Sequence, residues 1–264
     1  MGLLDFIFPS RRRRRLLAEP MDRSWFGHLE QVAFFETLSR PEQDKLLEDM
    51  RILVAEKQWE GCGGQTITDE IRVVIAAQAA LLLLNLEGHD YFGRTASILV
   101  YPSTFLVPRE LYDPDADGTV PVHGDATLGQ AQMRGPVVVS WDAALAGALN
   151  RDDGRNVVLH EFAHKLDMMD HLADGTPPIR NRALFERWVE VMSREFEALI
   201  EDAERGRKTL LDVYGASEPC EFFAVATEAF FEKPRQLGRR HPDLYEVLSD
   251  YYGQDPARRA RRGA

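Results

Sequence analysis

The chain has 264 residues, 44% of them hydrophobic and 28% charged, with a formal net charge of -11. This is enough apolar material for one sizeable core, and so acidic a body excludes a nucleic-acid surface as its main role. Two cysteines, Cys62 and Cys220, are too few for a disulfide framework and fit reduced thiols in a reducing compartment.

Residues 1–19 read as a basic arm in which "MGLLDFIF" precedes the run Arg11 to Arg15. A secretory signal has the opposite order, charge before apolar run and then a small-residue cleavage site, so the chain is expected in the cytoplasm. The arm suits a solvated extension or an anionic membrane surface. From Pro41, "PEQDKLLEDMRILVAEKQWEG" predicts a helix with proline in its first turn that stops at Gly61. Residues 68–87 predict a second helix opened by "TDE". Its run "VVIAAQAALLLLNL" is too short for the roughly 20 residues of a membrane span and contains Gln78, so it reads as a core helix.

Between Tyr91 and Trp141 the pattern turns β-branched, in "SILVYPSTFLVP" and "GPVVVSW", around a Gly- and Asp-rich loop. Helical patterns then resume with "DAALAGALN", "NVVLHEFAHKLDMMDH", a charged stretch from about Arg182 to Arg205, "PCEFFAVATEAFFE" and "PDLYEVLSDYYG". The expected class is α+β, mostly helical with a small sheet. No repeat or linker divides residues 20–253, which read as one domain, and the basic tail 254–264 is expected to be disordered.

The chemistry concentrates in "NVVLHEFAHKLDMMDH". On a helix His164 falls about 40° round from His160 and one turn on, so both imidazoles can reach one ion, with Glu161 beside it. This is the pattern H-E-x-x-H, two zinc ligands and a general base. Val158, Phe162, Leu166 and Met169 form an apolar back that would anchor such a helix.

The third ligand lies elsewhere. Asp170 could reach the metal only if the helix broke at Asp167, which stops helices less well than glycine. Asp167 is better placed to orient an imidazole, and His171 reads as a helix-end residue. On the later helix Glu221, Glu228 and Glu232 share one face, opposite Phe223, Ala226 and Phe230. Since two histidines and a glutamate form a common catalytic zinc set, that acidic face is the natural source.

The stretches "ITDEIRVVIAAQAALLLL", "GPVVVSWDAALAG", "HEFAHKLDMMD" and "YGASEPCEFFAVATEAFF" together resemble the Mlc titration factor A family of zinc metallopeptidases. The likeness runs over roughly residues 20–253 and implies a gluzincin with a zincin-like fold, its core similar to that of anthrax lethal factor. It implies one zinc per chain on His160, His164 and Glu221, with His123 as a further ligand, Glu161 as base and Tyr214 as hydrogen-bond donor to the transition state. It also implies aminopeptidase-like cleavage of peptide or protein substrates, and an Mlc-like transcriptional repressor as a partner. One rival reading is a regulatory binding protein that sequesters a transcription factor and keeps zinc mainly for structure. Another is a thiol hydrolase using Cys62 or Cys220, for which no local signature exists.

Overall fold

The computed structural model of the chain describes residues 9–103, 107–108, 119–120 and 135–259. Helix α1 (Pro9–Ala18) is followed by α2 (Ser24–Leu29) and α3 (Arg40–Glu56). At the start of α3 the Glu42 carboxylate accepts the Ser39 N–H at 2.8 Å, half of a capping box. The helix ends at Glu56, short of the stop expected at Gly61. Lys57 is extended, and "QWEG" forms strand β1 (Gln58–Gly61) instead of a last helical turn.

Two tertiary contacts override the local preference there. Lys57 is buried and its ammonium donates to the Phe92 and Thr95 carbonyls at 2.6 and 2.9 Å. The strand itself pairs with β2 (Ser97–Tyr101), which pairs on its other side with β5 (Val137–Ser140), both in parallel register. Two short segments, β3 (Val107–Pro108) and β4 (Thr119–Val120), pair antiparallel with each other.

Between β1 and β2 runs α4 (Asp69–Leu83), capped by the Thr68 hydroxyl, which accepts the Ile71 N–H at 3.3 Å. From Ile71 onward only Arg72 on this helix escapes burial, which explains its nearly continuous apolar sequence. Gln78 is the exception in kind. It is fully buried and donates to the Val74 and Ala144 carbonyls at 3.1 Å each. Among the described residues no helix is long and apolar enough to cross a membrane.

Helix α5 (Trp141–Leu149) leaves β5 directly, and α6 (Val157–Asp167) carries the two histidines. The apolar back of α6 is buried as its spacing predicts: Val158, Phe162 and Leu166 lie in the core, and Phe162 meets Phe92 edge to face at 4.8 Å. The long α7 (Arg182–Glu204) leads to α8 (Pro219–Glu232), then α9 (Pro234–Arg240), α10 (Pro242–Tyr252) and α11 (Pro256–Arg259). Helix α8 packs along α6 and is buried over most of its length, its phenylalanines in the core with Trp188, Tyr251 and Tyr252.

The chain ends differ from the sequence expectation in one respect. Residues 254–259 are not loose: Gln254 is buried and donates to the Leu81 carbonyl at 2.8 Å, and Arg259 donates to Glu42 at 2.5 Å. An arginine-rich tail reads as solvated, but these two side chains find fixed acceptors on α4 and α3. The result is a mostly helical α+β fold with a small parallel sheet.

Candidate metal centre

Asn156 sets the start of α6. Its side-chain oxygen accepts the Leu159 N–H at 3.0 Å, and its amide donates to the Gln78 side-chain oxygen at 2.8 Å. Its own backbone N–H donates to Glu228. A chain of buried polar groups therefore runs from the Ala144 carbonyl through Gln78 and Asn156 to α8. Gly147 permits it: a Cβ there would stand 2.9 Å from the Asn156 amide. The one polar residue of the α4 core thus fixes where the helix of the two histidines begins.

One turn later His160 and His164 point at Glu221 of α8. The three side-chain atoms form a small triangle: His160 Nε2 to Glu221 Oε2 is 3.0 Å, His160 Nε2 to His164 Nε2 is 3.2 Å, and His164 Nε2 to Glu221 Oε2 is 3.4 Å. Donors about 2.0–2.2 Å from a tetrahedral ion lie roughly 3.3–3.6 Å apart, so the longest edge fits one small cation and the other two need to open by only a few tenths of an ångström. The three residues are the group of potential ligands that the fold brings together among the described residues.

Electrostatics argue for positive charge at the same point. Burial pulls the His160 imidazole down, but hydrogen bonds to Glu221 and Glu228 outweigh this and raise it well above its ordinary value. Burial pushes the Glu221 carboxyl up, and hydrogen bonds from both histidines overcome it and hold the group low. A buried carboxylate facing two imidazole nitrogens is stable only with a cation between them, a proton or a metal ion.

Glu228 supplies what the sequence reading assigned to Asp167. Its Oε1 lies 2.8 Å from His160 Nδ1 and can accept the N–H there, leaving Nε2 as the electron-pair donor. Asp167 is fully buried but turns away from the histidines, accepting the Gly175 N–H at 3.0 Å. His164 Nδ1 and Asp167 Oδ1 are each buried without a hydrogen-bond partner. The helix does not break at Asp167 but tightens into a 3-10 turn, Met168–Asp170, ended by His171 at φ 81°. Asp170 is exposed and accepts the Leu172 N–H, while His171 Nδ1 lies 2.8 Å from Arg94, and neither joins the triangle.

Glu232, the third member of the acidic face, accepts the Arg155 N–H at 2.9 Å, and burial followed by nearby carboxylates pushes its own carboxyl up to about 8. The face that reads as one acidic stripe thus divides into a metal ligand candidate, a histidine-orienting carboxylate and a loop clamp. The partition depends on which part of α6 stands opposite each turn of α8. The i, i+7, i+11 spacing shows that the glutamates share a face but not which partner each meets.

A cavity of about 460 Å³ opens beside the triangle, lined by Ala146, Gly147, Arg155, Glu161, Asp212 and Tyr214 among others. Glu161 stands on its wall, partly exposed, and the Tyr214 ring centroid lies 6.1 Å from that of His160. The segment carrying Tyr214 is held by Asp212, which accepts its N–H at 3.1 Å and pairs with Arg155 at 3.0 Å. Gly215 allows the close approach of that turn, since a Cβ would meet Val225 at 3.2 Å. His123 lies outside the described residues. Cys220 is buried, and burial with the neighbouring Glu221 charge pushes its thiol up to about 12, which removes it as a nucleophile.

A family model described as glucose-regulated metallo-peptidase M90 matches residues 8–253. An uncharacterized protein of Synechocystis sp. is 39% identical over 93% of this chain and 89% of its own length. The Mlc titration factor A of Edwardsiella ictaluri is 32% identical over 86% of each chain, and that of Serratia proteamaculans 32% identical over 88% of this chain and 87% of its own. With its histidine and glutamate triangle beside an open cavity, the chain belongs to the glucose-regulated metallo-peptidase M90 family, which includes the Mlc titration factor A proteins.

Proposed function

We propose that the chain is a zinc-dependent peptidase of aminopeptidase type, with the ion held by His160, His164 and Glu221. The observation that carries this reading is the triangle of three donor atoms with edges of 3.0–3.4 Å against an accessible cavity. Zinc held there would supply Lewis acidity for activating water and polarising a carbonyl. Glu161, on the cavity wall, takes the proton of the attacking water and hands it to the leaving amine. Tyr214 donates its hydroxyl to the oxyanion that develops on the scissile carbonyl. Glu228 keeps the His160 ring fixed in orientation and tautomer while this happens.

Among the described residues β5 lies at an edge of the sheet and packs on α6. It is therefore available to pair with an extended peptide and lay it across the cavity. His123, outside the described residues, is proposed as a further residue that would hold the ion. The name of the Edwardsiella and Serratia relatives supports a second role, binding a repressor of the Mlc kind, with the peptidase under that partner's control.

The test is one purification of wild type and Glu161→Gln, measuring bound metal and the hydrolysis of aminoacyl-nitroanilides with and without chelator. Wild type should contain about one zinc and lose activity on chelation. The variant should keep the zinc and lose activity by about 10²–10⁴-fold. Full activity in a zinc-loaded Glu161→Gln protein would remove the general base from the mechanism. A wild type that binds an Mlc-type repressor but cleaves nothing, with or without it, would leave the binding role standing alone.

A further inference from the structure

Helix α7 is apolar over a wider arc than the body covers. At 100° per residue its buried side chains Trp188, Val191, Met192 and Leu199 occupy about 100° of its circumference. Phe185, Phe196 and Val189 extend the apolar surface about 60° further round. Phe185 and Val189 are 42% and 43% exposed. Phe196 leans inward onto Phe222, with ring centroids 5.7 Å apart. Between this strip, the turn at Asp174 to Thr176 and the start of α8 lies a groove of about 280 Å³, with the buried Trp188, Met192 and Phe222 among its walls.

The rim of the groove is acidic. Asp174 stands on the turn and Glu197 on α7, both exposed, and none of the described residues that line the groove is basic. Glu190 is exposed and lies only about 20° from Glu197 on the helix, two turns earlier, so it prolongs the same flank. The groove also includes Pro219 and Phe222, which stand on either side of Glu221 in the first turn of α8.

We infer that this groove docks a basic amphipathic helix of a partner protein. Phe185, Val189, Met192 and Phe196 are spaced i, i+4, i+7, i+11, the seam with which the side chains of a facing helix interlock. The seam is roughly 16 Å long, which matches about three helical turns of a partner. Its acidic flank selects lysine and arginine beside the partner's apolar stripe. A second copy of this chain is disfavoured, because two-fold pairing would set Asp174, Glu190 and Glu197 against their own equivalents. An anionic bilayer is repelled by the same carboxylates. None of the three triangle residues lines the groove, so the inference stands apart from the peptidase reading.

The experiment is fluorescence anisotropy of the full-length protein with a labelled synthetic helix of leucine and lysine, its leucines at i, i+4, i+7 and i+11. A matched peptide with glutamate for lysine is the control. Wild type should bind the lysine peptide and not the glutamate one, and high salt should weaken binding severalfold. Phe185→Ser with Val189→Ser should cost roughly tenfold or more in affinity, with the helical circular dichroism unchanged since both side chains are half exposed. Glu190→Gln with Glu197→Gln should cost several-fold at low salt only. Glu36→Gln with Glu60→Gln removes the same charge from exposed positions elsewhere and should bind like wild type. No binding of the lysine peptide at low salt, or equal binding of both peptides, would overturn the inference. Unchanged affinity in the Phe185 and Val189 variant would do so too, as would an equal loss in the Glu36 and Glu60 control. A wild-type dimer in sedimentation that the Phe185 and Val189 changes dissociate would give the face to a second copy and overturn it as well.

Discussion

Helices α7 and α8 both carry rows of glutamates, and the two rows face opposite environments. On α7, Glu186 pairs with Arg182 at 2.8 Å and Glu201 with Arg205 at 2.8 Å, all four side chains more than half exposed. On α8, Glu221, Glu228 and Glu232 are 5%, 8% and 5% exposed. Water stabilises the first set whether or not an arginine is near, so an exposed pair adds little. The second set is buried, and a specific group faces each side chain: both histidines for Glu221, His160 and the Asn156 N–H for Glu228, and the Arg155 N–H for Glu232. The same residue type is solubilising surface in one helix and the makings of a metal site in the other.

The strongest way to break this contrast is to remove Glu221. Glu221→Ala takes one corner from the triangle, so zinc content should fall to background and activity with it, by several orders of magnitude. Metal analysis after gel filtration decides the matter. Stoichiometric zinc in that variant would mean that another residue supplies the third donor.

A smaller loss is expected at Glu228, which touches the ligand and not the ion. Glu228→Gln keeps an acceptor for the His160 N–H but removes the charge that raises the basicity of the ring. Zinc affinity should fall about 10–100-fold with the fold intact. Competition against a chromophoric chelator measures it, and an unchanged affinity would reduce Glu228 to a helix-capping role through Asn156.

Asp167 gives a third, pH-dependent test. Burial chiefly, with neighbouring aspartates adding to it, pushes its carboxyl from its ordinary value of 3.8 up to about 7. Between those values the folded chain holds a proton that the unfolded chain releases, so this group makes stability fall as pH rises from about 4 to 7. Below that window both states are protonated and the contribution vanishes. Asp167→Asn, which can still accept the Gly175 N–H, should melt like wild type near pH 4. It should melt several degrees higher at pH 8, a gain on the order of 2–4 kcal/mol. A difference that stayed constant with pH would show that Asp167 does not titrate in that range.

The same three carboxylates mark how far the sequence can be read. His160, Glu161 and His164 are legible because their geometry is local, a matter of helical spacing within five residues. Glu221 lies 57 residues beyond His164, yet the apolar back of α8 exposes its acidic face as a partner surface, and the family likeness selects the glutamate. What Glu228 does, and what Asp167 does not do, depends on which turn of α8 meets α6 and on the return of Gly175 beneath the helix. Those are tertiary facts without a local signal. Strand β1 was hidden for a related reason: "QWEG" continues a helical pattern, and only the pairing with β2 and the buried Lys57 ammonium turn it into a strand.

The smallest effect is expected on α7, and its size is informative. Arg182 and Glu186 are spaced i, i+4, but the basic residue comes first, which is the weaker order on a helix. Arg182 also sits at the first position of α7, where the helix dipole is unfavourable to positive charge. The Coulomb gain of the pair and the dipole penalty therefore oppose each other, with both side chains in water. Arg182→Ala should move the melting temperature by no more than about 1–2 °C in either direction, and added salt should shrink even that. A loss of 5 °C or more would mean that an exposed carboxylate on α7 depends on its partner as strictly as a buried one on α8, and the contrast between the two helices would fail at its weaker side.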